Sequence, residues 1–395
     1  MKTHVLLVLF LLAGLAAAAP VATVQNVTQD AATGNVTVGY TLAGEDAIIT
    51  FDVLTNGVPV SAGALAYADG DVYRLVATGS RSFVWNAVTS GIGAEFPSSA
   101  LTVRVNAISP NDPPDWMAVE LSVANTVFYY PSKECVPDGI TNDVYKTERL
   151  LLHRLHAAGN TWEMGVAGND RNPLHKVTMT NDFYIGVYEV TCAQFGRMQD
   201  SLWTRNTWPS HLSNYADSRM FPVTTNVSYT LIRGTSSWPS GGHAVSADSV
   251  IGKLRGRTGI MFDLPTEAQW EFACRAGTTS ASAHYGTWED ISWNSGNSGN
   301  HPHAVGTKLP NAYDLYDMEG NAWEWVLDWF MSPLGSDPVV DPAGPQSGSK
   351  RQVRGGCYNR GSDVSGSYYR ISGGLSADAT EAYGFRLTAP AGYVW

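Results

Sequence analysis

Hydrophobic and polar residues alternate with a period of two through the first quarter of the chain. Asn35 to Leu42 follows this rhythm, as does Ile48 to Leu54, and such alternation marks strands with one buried face. Between them and the next apolar run stands Asn56-Gly57, a hairpin signal because a type I′ turn needs positive φ at both central positions. Val72 to Ala77, Ser82 to Trp85, Leu101 to Ala107 and Val119 to Val123 read as further strands, with a proline-rich turn from Ser109 to Asp115 before the last. About seven short strands in roughly 100 residues are the count of an all-β immunoglobulin- or fibronectin-like sandwich, here over residues 20–125. No cysteine lies within it, so packing alone must hold it, and its role reads as a spacer or adhesion module.

Periodicity then fades. Phe128 to Asp143 carries Pro131, Pro137, Gly139 and the isolated Cys135, and Pro-Gly punctuation without periodicity predicts an exposed connector over 126–149. In the second domain, 150–395, Tyr184 to Val190 is β-branched and aromatic and predicts a strand. Thr191 is placed to cap a helix through Met198, and Thr266 one through Ala273, with Glu267 favourably in its first turn and Gly277 closing it. Beyond Thr278, Gly, Asn, Ser and Trp dominate, and Gly335 to Lys350 holds three prolines and three glycines. Short strands, two early helices and long ordered loops are expected.

The first residues alter the picture. Lys2, the apolar run Val5 to Leu15 and the small residues Ala16 to Ala19 form a signal peptide over 1–19. The run is too short to span a membrane, and no later stretch reaches about 18 apolar residues. The mature chain is therefore expected outside the cytoplasm, secreted, periplasmic or at the cell surface. Its 395 residues favour two domains, and its 39 Gly and 20 Pro favour β-rich or irregular structure. A formal charge of −11 argues against a nucleic-acid partner. Export permits disulfides, yet the spacing of Cys135, Cys192, Cys274 and Cys357 excludes CxxC motifs and leaves their pairing open.

Six blocks occur in order: Glu189 to Thr191, Pro222 to Ser228, Leu264 to Glu271, Asn311 to Trp325, Arg354 to Gly356, and Gly384 to Arg386. Together they resemble the sulfatase-modifying-factor, or formylglycine-generating enzyme, family. The resemblance implies an α+β, C-type-lectin-like fold with little regular structure. It also implies a structural Ca²⁺ in the block Asp317 to Glu324, with Asp317 and Glu324 as side-chain ligands and Gly320 and Ala322 giving carbonyls. Carboxylates flanking a glycine turn suit a hard cation, although a plain solvated turn has the same spacing.

The enzymes of that family hold copper(I) between two cysteine thiolates, the soft ligands such an ion prefers. Here the two corresponding positions carry Arg360 and Ser365. Neither is a thiolate, and Arg360 is a permanent cation, so copper is not expected. Cys357 stands where the enzymes carry a pocket serine. It is a candidate reactive thiol, a buried inert residue, or a disulfide partner of Cys274. Trp323 matches a pocket-lining position, which gives an expected pocket of Trp323, Cys357, Arg360 and Ser365.

His301 and His303 flank Pro302 in an Asn/Gly loop without a third ligand at believable spacing. Among Trp270, Trp293, Trp323, Trp325 and Trp329, core packing explains most, while an exposed subset would stack on sugar rings or peptide side chains. Sequons at Asn26, Asn35 and Asn226 matter only in a eukaryotic secretory pathway. The expected function is therefore an exported, non-catalytic (pseudoenzyme) scaffold stabilised by calcium that binds a peptide or glycan. The alternative is an oxidoreductase converting a sulfatase cysteine to formylglycine, or doing related oxygen chemistry, without the usual cysteine pair.

Overall fold

The computed structural model describes residues 18–89, 101–122, 126–169, 171–199, 216–235, 237–279, 285–373 and 382–392. Apart from Ala18 and Ala19, the expected signal peptide lies outside these. Mixed α/β structure results, mostly sheet with few helices. Among the described residues no helix is long and apolar enough to cross a membrane.

The N-terminal unit has two four-stranded sheets. One runs Val21–Gln29, Asn35–Ala43, Gly79–Asn86, Ala68–Gly70; in the other, Ala47–Thr55 pairs with Val58–Pro59, Leu75–Val76 and Leu101–Ile108. Alternation does what the pattern predicts: Val36, Val38, Tyr40, Phe51, Phe83 and Trp85 are at most 2% exposed. They share one apolar cluster, in which Phe51 of one sheet meets Phe83 of the other with ring centroids 4.7 Å apart. At the hairpin, Asn56 and Gly57 have φ of 50° and 80°, and Thr55 pairs with Val58. The strand expected at Val72 to Ala77 is shorter, Leu75–Val76, since Tyr73 adopts a positive φ of 55° to bury its ring.

Two expectations about the boundary are corrected. The strand predicted to close the sandwich is Trp116–Glu120, and it pairs with Val127–Tyr130 and Arg149–Leu155. It lies in a five-stranded sheet of order Val127–Tyr130, Trp116–Glu120, Arg149–Leu155, Phe183–Gly186, Thr388–Pro390. Part of the expected connector is thus sheet. The physical reason is burial on both faces. Trp116 and Ala118 join the cluster filled by the sandwich, while Met117 and Val119 join the core of the second unit, so the strand reads as a continuous apolar run rather than an alternation. The same cluster draws in Tyr130, Tyr188 and Tyr316, and Tyr129 N–H donates to the Tyr73 carbonyl at 2.6 Å. One core therefore joins the two units.

In the second unit, a three-stranded sheet (Thr161–Met164, His175–Thr178, Val339–Val340) and a four-stranded sheet complete the β structure; the latter runs Ile371–Ser372, Arg351–Arg354, Trp323–Trp329, Tyr383–Gly384. The predicted strand at Tyr184 to Val190 is shorter, Phe183–Gly186. Both expected helices form behind capping boxes: Thr191 with Gln194 before Cys192–Met198, and Thr266 with Gln269 before Glu267–Arg275. The second is buried at every position and ends on Ala276, φ 45°, followed by Gly277, φ 85°. Helices are more numerous than two, however: Tyr229–Arg233 and Val250–Thr258 are also present, with short turns at Val144–Thr147 and Trp288–Ile291. Gly252 and Gly256 obscure the Val250–Thr258 helix in the sequence, since interior glycine disfavours helix by about 1 kcal/mol. Gly252 is required there, because a Cβ would come 2.0 Å from the Ser246 carbonyl oxygen.

What fastens these short elements is a set of buried ion pairs. Glu267 and Glu271, one turn apart on the buried helix, face Arg354: Nη1 lies 3.2 Å from Glu267, and Nη2 bonds Glu271. Arg370 adds bonds of 2.5 and 2.6 Å to Glu267, and Arg275 one of 2.8 Å to Glu271. Nearby, Arg386 chelates Glu324 at 2.6 to 2.9 Å, and Arg233 holds Asp263 at 2.6 and 2.9 Å. Arg351 instead lies over the rings of Trp329 and Tyr229, 3.4 and 4.2 Å from their centroids, and burial pushes its pKa down to about 10. Burial alone would push Glu271 and Asp263 up. The charges of Arg354 and Arg275 hold Glu271 below its ordinary value, and hydrogen bonds from His243 and Arg233 do the same for Asp263.

Two outcomes are expected. Arg354→Ala removes the cation that Glu267 and Glu271 share, leaving Glu267 to Arg370 and Glu271 to Arg275, and should lower unfolding free energy by about 3 kcal/mol in urea titration. Because Glu271 and Asp263 are more acidic folded than unfolded, their contribution is present above ordinary carboxylate pKa values and is lost as pH falls through the lowered ones. Between about pH 5 and about pH 3 the urea midpoint of the wild type should therefore fall more steeply than that of Asp263→Asn, which lacks one of the two titrations; identical slopes contradict the assignment.

Candidate functional site

The loop before the strand Trp323–Trp329 carries the expected calcium residues. Asp317, Gly320 and Asn321 take φ of 54°, 97° and 57°, so the chain coils tightly. Only glycine fits at 320, where a Cβ would meet Ser292 Oγ at 2.4 Å and the Trp293 carbonyl at 2.5 Å. Asp317 is buried. Its Oδ2 accepts from Gly306 N at 2.7 Å, while Oδ1 has no partner. Burial first, and the charge of Glu324 next among the raising causes, push its pKa up to about 6. Glu324 is already engaged by Arg386, and it accepts from Trp270 Nε1 at 2.8 Å. Ala322 donates its N–H to Glu189 Oε1 at 2.9 Å, and Asn321 Nδ2 reaches Glu189 Oε2 at 2.7 Å.

Glu189 was not assigned a role from the sequence. It is fully buried, and burial followed by the charges of Asp317 and Glu324 pushes it well above the ordinary carboxylate value. Its signal was a lone carboxylate inside the apolar run from Tyr184 to Val190, where an acid persists only with a purpose-built partner. Three carboxylates thus share Arg386. The orphaned Asp317 oxygen and this surplus of negative charge fit a hard divalent cation. Among the described residues no cluster of three or more His, Cys, Asp or Glu forms a metal shell. The expected set has only two carboxylates plus carbonyls.

Beside this loop opens a cavity of about 390 Å³, lined by Trp323, Asn359, Arg360, Val364, Tyr369, Ile371, Ala382 and Tyr383. Trp323 is fixed by its N–H to the Ala382 carbonyl at 2.9 Å, and its ring lies 6.3 Å from that of Tyr369. Arg360 is exposed and forms no ion pair among the described residues. Its backbone is tied at both ends, N–H to the Cys357 carbonyl at 3.1 Å and carbonyl to Ser295 N–H at 2.8 Å.

Cys357 and Ser365, both expected in the pocket, do not line it. Each is fully buried. Ser365 is pressed against Gly356, whose φ is 81° and whose Cβ would stand 2.3 Å from the hydroxyl. Cys357 donates to Asn359 Oδ1 at 3.1 Å, and burial pushes its thiol up to about 11. All four cysteines are free and buried, so the Cys274–Cys357 pairing is not formed. With Arg360 and Ser365 in place of two thiolates and Cys357 protonated at neutral pH, the residues present do not fit a copper(I) centre.

The aromatic and histidine candidates divide. Trp270 and Trp325 are core residues at 0% exposure. Trp293 stacks on His303 at 3.7 Å, with Lys308 over its ring at 4.0 Å. His303 Nε2 lies 2.8 Å from the Ser298 carbonyl, and burial lowers its pKa. The His301 and His303 rings pack against each other, tilted by 33° with centroids 4.4 Å apart.

Residues 146–391 match the sulfatase-modifying factor enzyme 1-like domain, and the chain belongs to that family. It is 28% identical over 254 residues to serine/threonine-protein kinase pkn1 of Chlamydia pneumoniae, covering 61% of this chain and 38% of that protein. To the formylglycine-generating enzyme of Bos taurus it is 37% identical over 110 residues, 24% of this chain and 29% of the enzyme. The chain thus spans about a third of the length of these relatives. Among solved structures, Treponema denticola variable protein 1 aligns with a TM-score of 0.47 and 24% identity, covering 61% of this chain and 95% of its own.

Burial and the raised thiol pKa yield a direct expectation. Native protein near neutral pH should resist alkylation by iodoacetamide, and all four cysteines should react once unfolded in guanidinium. Rapid labelling of Cys357 in the folded state, read by peptide mass spectrometry, would contradict it.

Proposed function

We propose that this protein is an exported, non-catalytic member of the family that binds a peptide or glycan on a calcium-stabilised scaffold. The observation that carries the reading is the cavity rim itself: the position where the resemblance implies a copper thiolate holds an exposed guanidinium. A cation there repels a bound copper ion and attracts polar or anionic ligands instead. The second position, Ser365, supplies a buried hydroxyl. Cys357, the remaining thiol of the segment, is too deeply buried and too weakly acidic to act as a thiolate near pH 7.

The resemblance implies calcium at the loop Asp317 to Glu324. The unpartnered Asp317 Oδ1 and the carbonyls of Gly320 and Ala322 would hold it, with Glu324 joining by exchanging Arg386 and Trp270, which now occupy both its oxygens. The ion's charge would offset the surplus negative charge of Glu189, Asp317 and Glu324. The N-terminal unit is read as an immunoglobulin- or fibronectin-like spacer, and the second unit as C-type-lectin-like. Export rests on the signal peptide expected from the sequence of residues 1–19.

Two experiments test this. Incubated with copper(I), O₂ and a peptide carrying the C-x-P-x-R motif, the protein should yield no aldehyde by mass spectrometry; turnover abolished by Cys357→Ala would establish the oxidoreductase reading in its place. Calcium at about a hundredfold excess over Kd should add roughly 2.7 kcal/mol, seen as a melting temperature that chelator lowers in the wild type but not in Asp317→Asn. An unchanged melting temperature together with no calcium by elemental analysis removes the cation from the account.

A further inference from the structure

The cavity beside Trp323 holds a charge that nothing in the protein uses. Arg233, Arg351, Arg354 and Arg386 are buried, each committed to a carboxylate or an aromatic ring. Arg360 is exposed and without an ion pair among the described residues, in a chain whose formal charge is −11. An exposed arginine is ordinarily just solvated. This one differs because hydrogen bonds at both its backbone N–H and its carbonyl hold it and because it lines a walled cavity.

Its neighbour is oriented too. The Cys357 thiol donates to Asn359 Oδ1 at 3.1 Å, which commits the amide oxygen and leaves the two amide N–H donors for a ligand. Arg360 and Asn359 thus both present N–H donors to the cavity, beside the hydroxyls of Tyr369 and Tyr383. The same lining includes the rings of Tyr369 and Tyr383, with the nearly buried Trp323 behind, apolar surface on which the C–H face of a sugar ring packs while its hydroxyls hydrogen-bond outward.

We infer that this cavity recognises a carboxylate-bearing sugar, a hexuronic acid unit of a glycan, whose carboxylate pairs with Arg360 while its ring lies against Tyr369 and Tyr383. Size separates this from an acidic peptide side chain. The cavity volume of about 390 Å³ corresponds to about thirteen waters at ~30 Å³ each, enough to house a whole hexuronic acid. An aspartate or glutamate side chain would leave most of it empty. The inference rests on the binding reading above and narrows it to one ligand class.

The test uses the full chain and three probes by isothermal titration calorimetry: an oligoglucuronate, a neutral gluco-oligosaccharide of equal length, and a glutamate-rich peptide. Oligoglucuronate should bind about tenfold more tightly than the neutral sugar, the scale of one charge-assisted hydrogen-bonded pair. That margin should vanish in Arg360→Gln and shrink with added salt. Arg360 is exposed, so this variant should keep the wild-type melting temperature, and Arg360→Lys should recover part of the margin. Equal binding of the two sugars, or an oligoglucuronate affinity unchanged in Arg360→Gln, overturns the inference. Preferential binding of the peptide overturns the sugar class while leaving the binding reading intact. Absence of binding by all three overturns the inference, and the independent copper and peptide assay then decides the broader reading.

Discussion

Glu271 sits fully buried between Arg275 and Arg354, and the architecture of the second unit hangs on that arrangement. A domain with so few regular hydrogen-bond ladders must satisfy its backbone and fix its loops by other means. Here it does so by driving guanidinium groups into the core and meeting them with carboxylates from distant segments: Arg354 joins a central strand to the buried helix, Arg370 joins a loop to the same helix, and Arg386 joins the C-terminal segment to Glu324. Such pairs are costly to bury and costlier to break. They make the unit intolerant of partial assembly, which suits a fold whose loops define its cavity.

This explains why the family signature is so legible. Each of the blocks Leu264 to Glu271, Asn311 to Trp325, Arg354 to Gly356 and Gly384 to Arg386 contributes to this ion-pair set, through Glu267 and Glu271, Glu324, Arg354 and Arg386 respectively. The motifs identify the scaffold rather than a reaction. A chain can therefore retain every block and still place Arg360 where a redox ligand is implied, because the ion pairs are indifferent to what lines the cavity.

Legibility varied with the physics of each element. The sandwich strands were readable because one face is wet and one dry, and the two capped helices because Thr191 and Thr266 announce them. Trp116–Glu120 was misassigned because a strand buried on both faces loses its period, and Val250–Thr258 was missed because it carries two glycines, of which Gly252 answers a packing demand from Ser246. At the site, Trp323 and Arg360 could be placed by resemblance. Tyr369, Tyr383 and Asn359 could not, since they come from irregular segments that only tertiary structure brings together. Glu189 was visible as a charge in an apolar run, but its destination, the Asn321–Ala322 turn, lies more than 130 residues away.

The strand Trp116–Glu120 has a consequence for how such a protein can be assembled over evolutionary time. Because its two faces belong to two cores, the N-terminal unit is not a bead on a string. A recombination event that cut at Pro131 to Gly139, where the chain reads as a connector, would carry off one wall of the neighbouring core and leave both products with open seams. Exchange of the N-terminal unit for another is feasible only ahead of Trp116, around Ser109 to Asp115, and only with a replacement that offers its own apolar surface to Trp116 and Ala118.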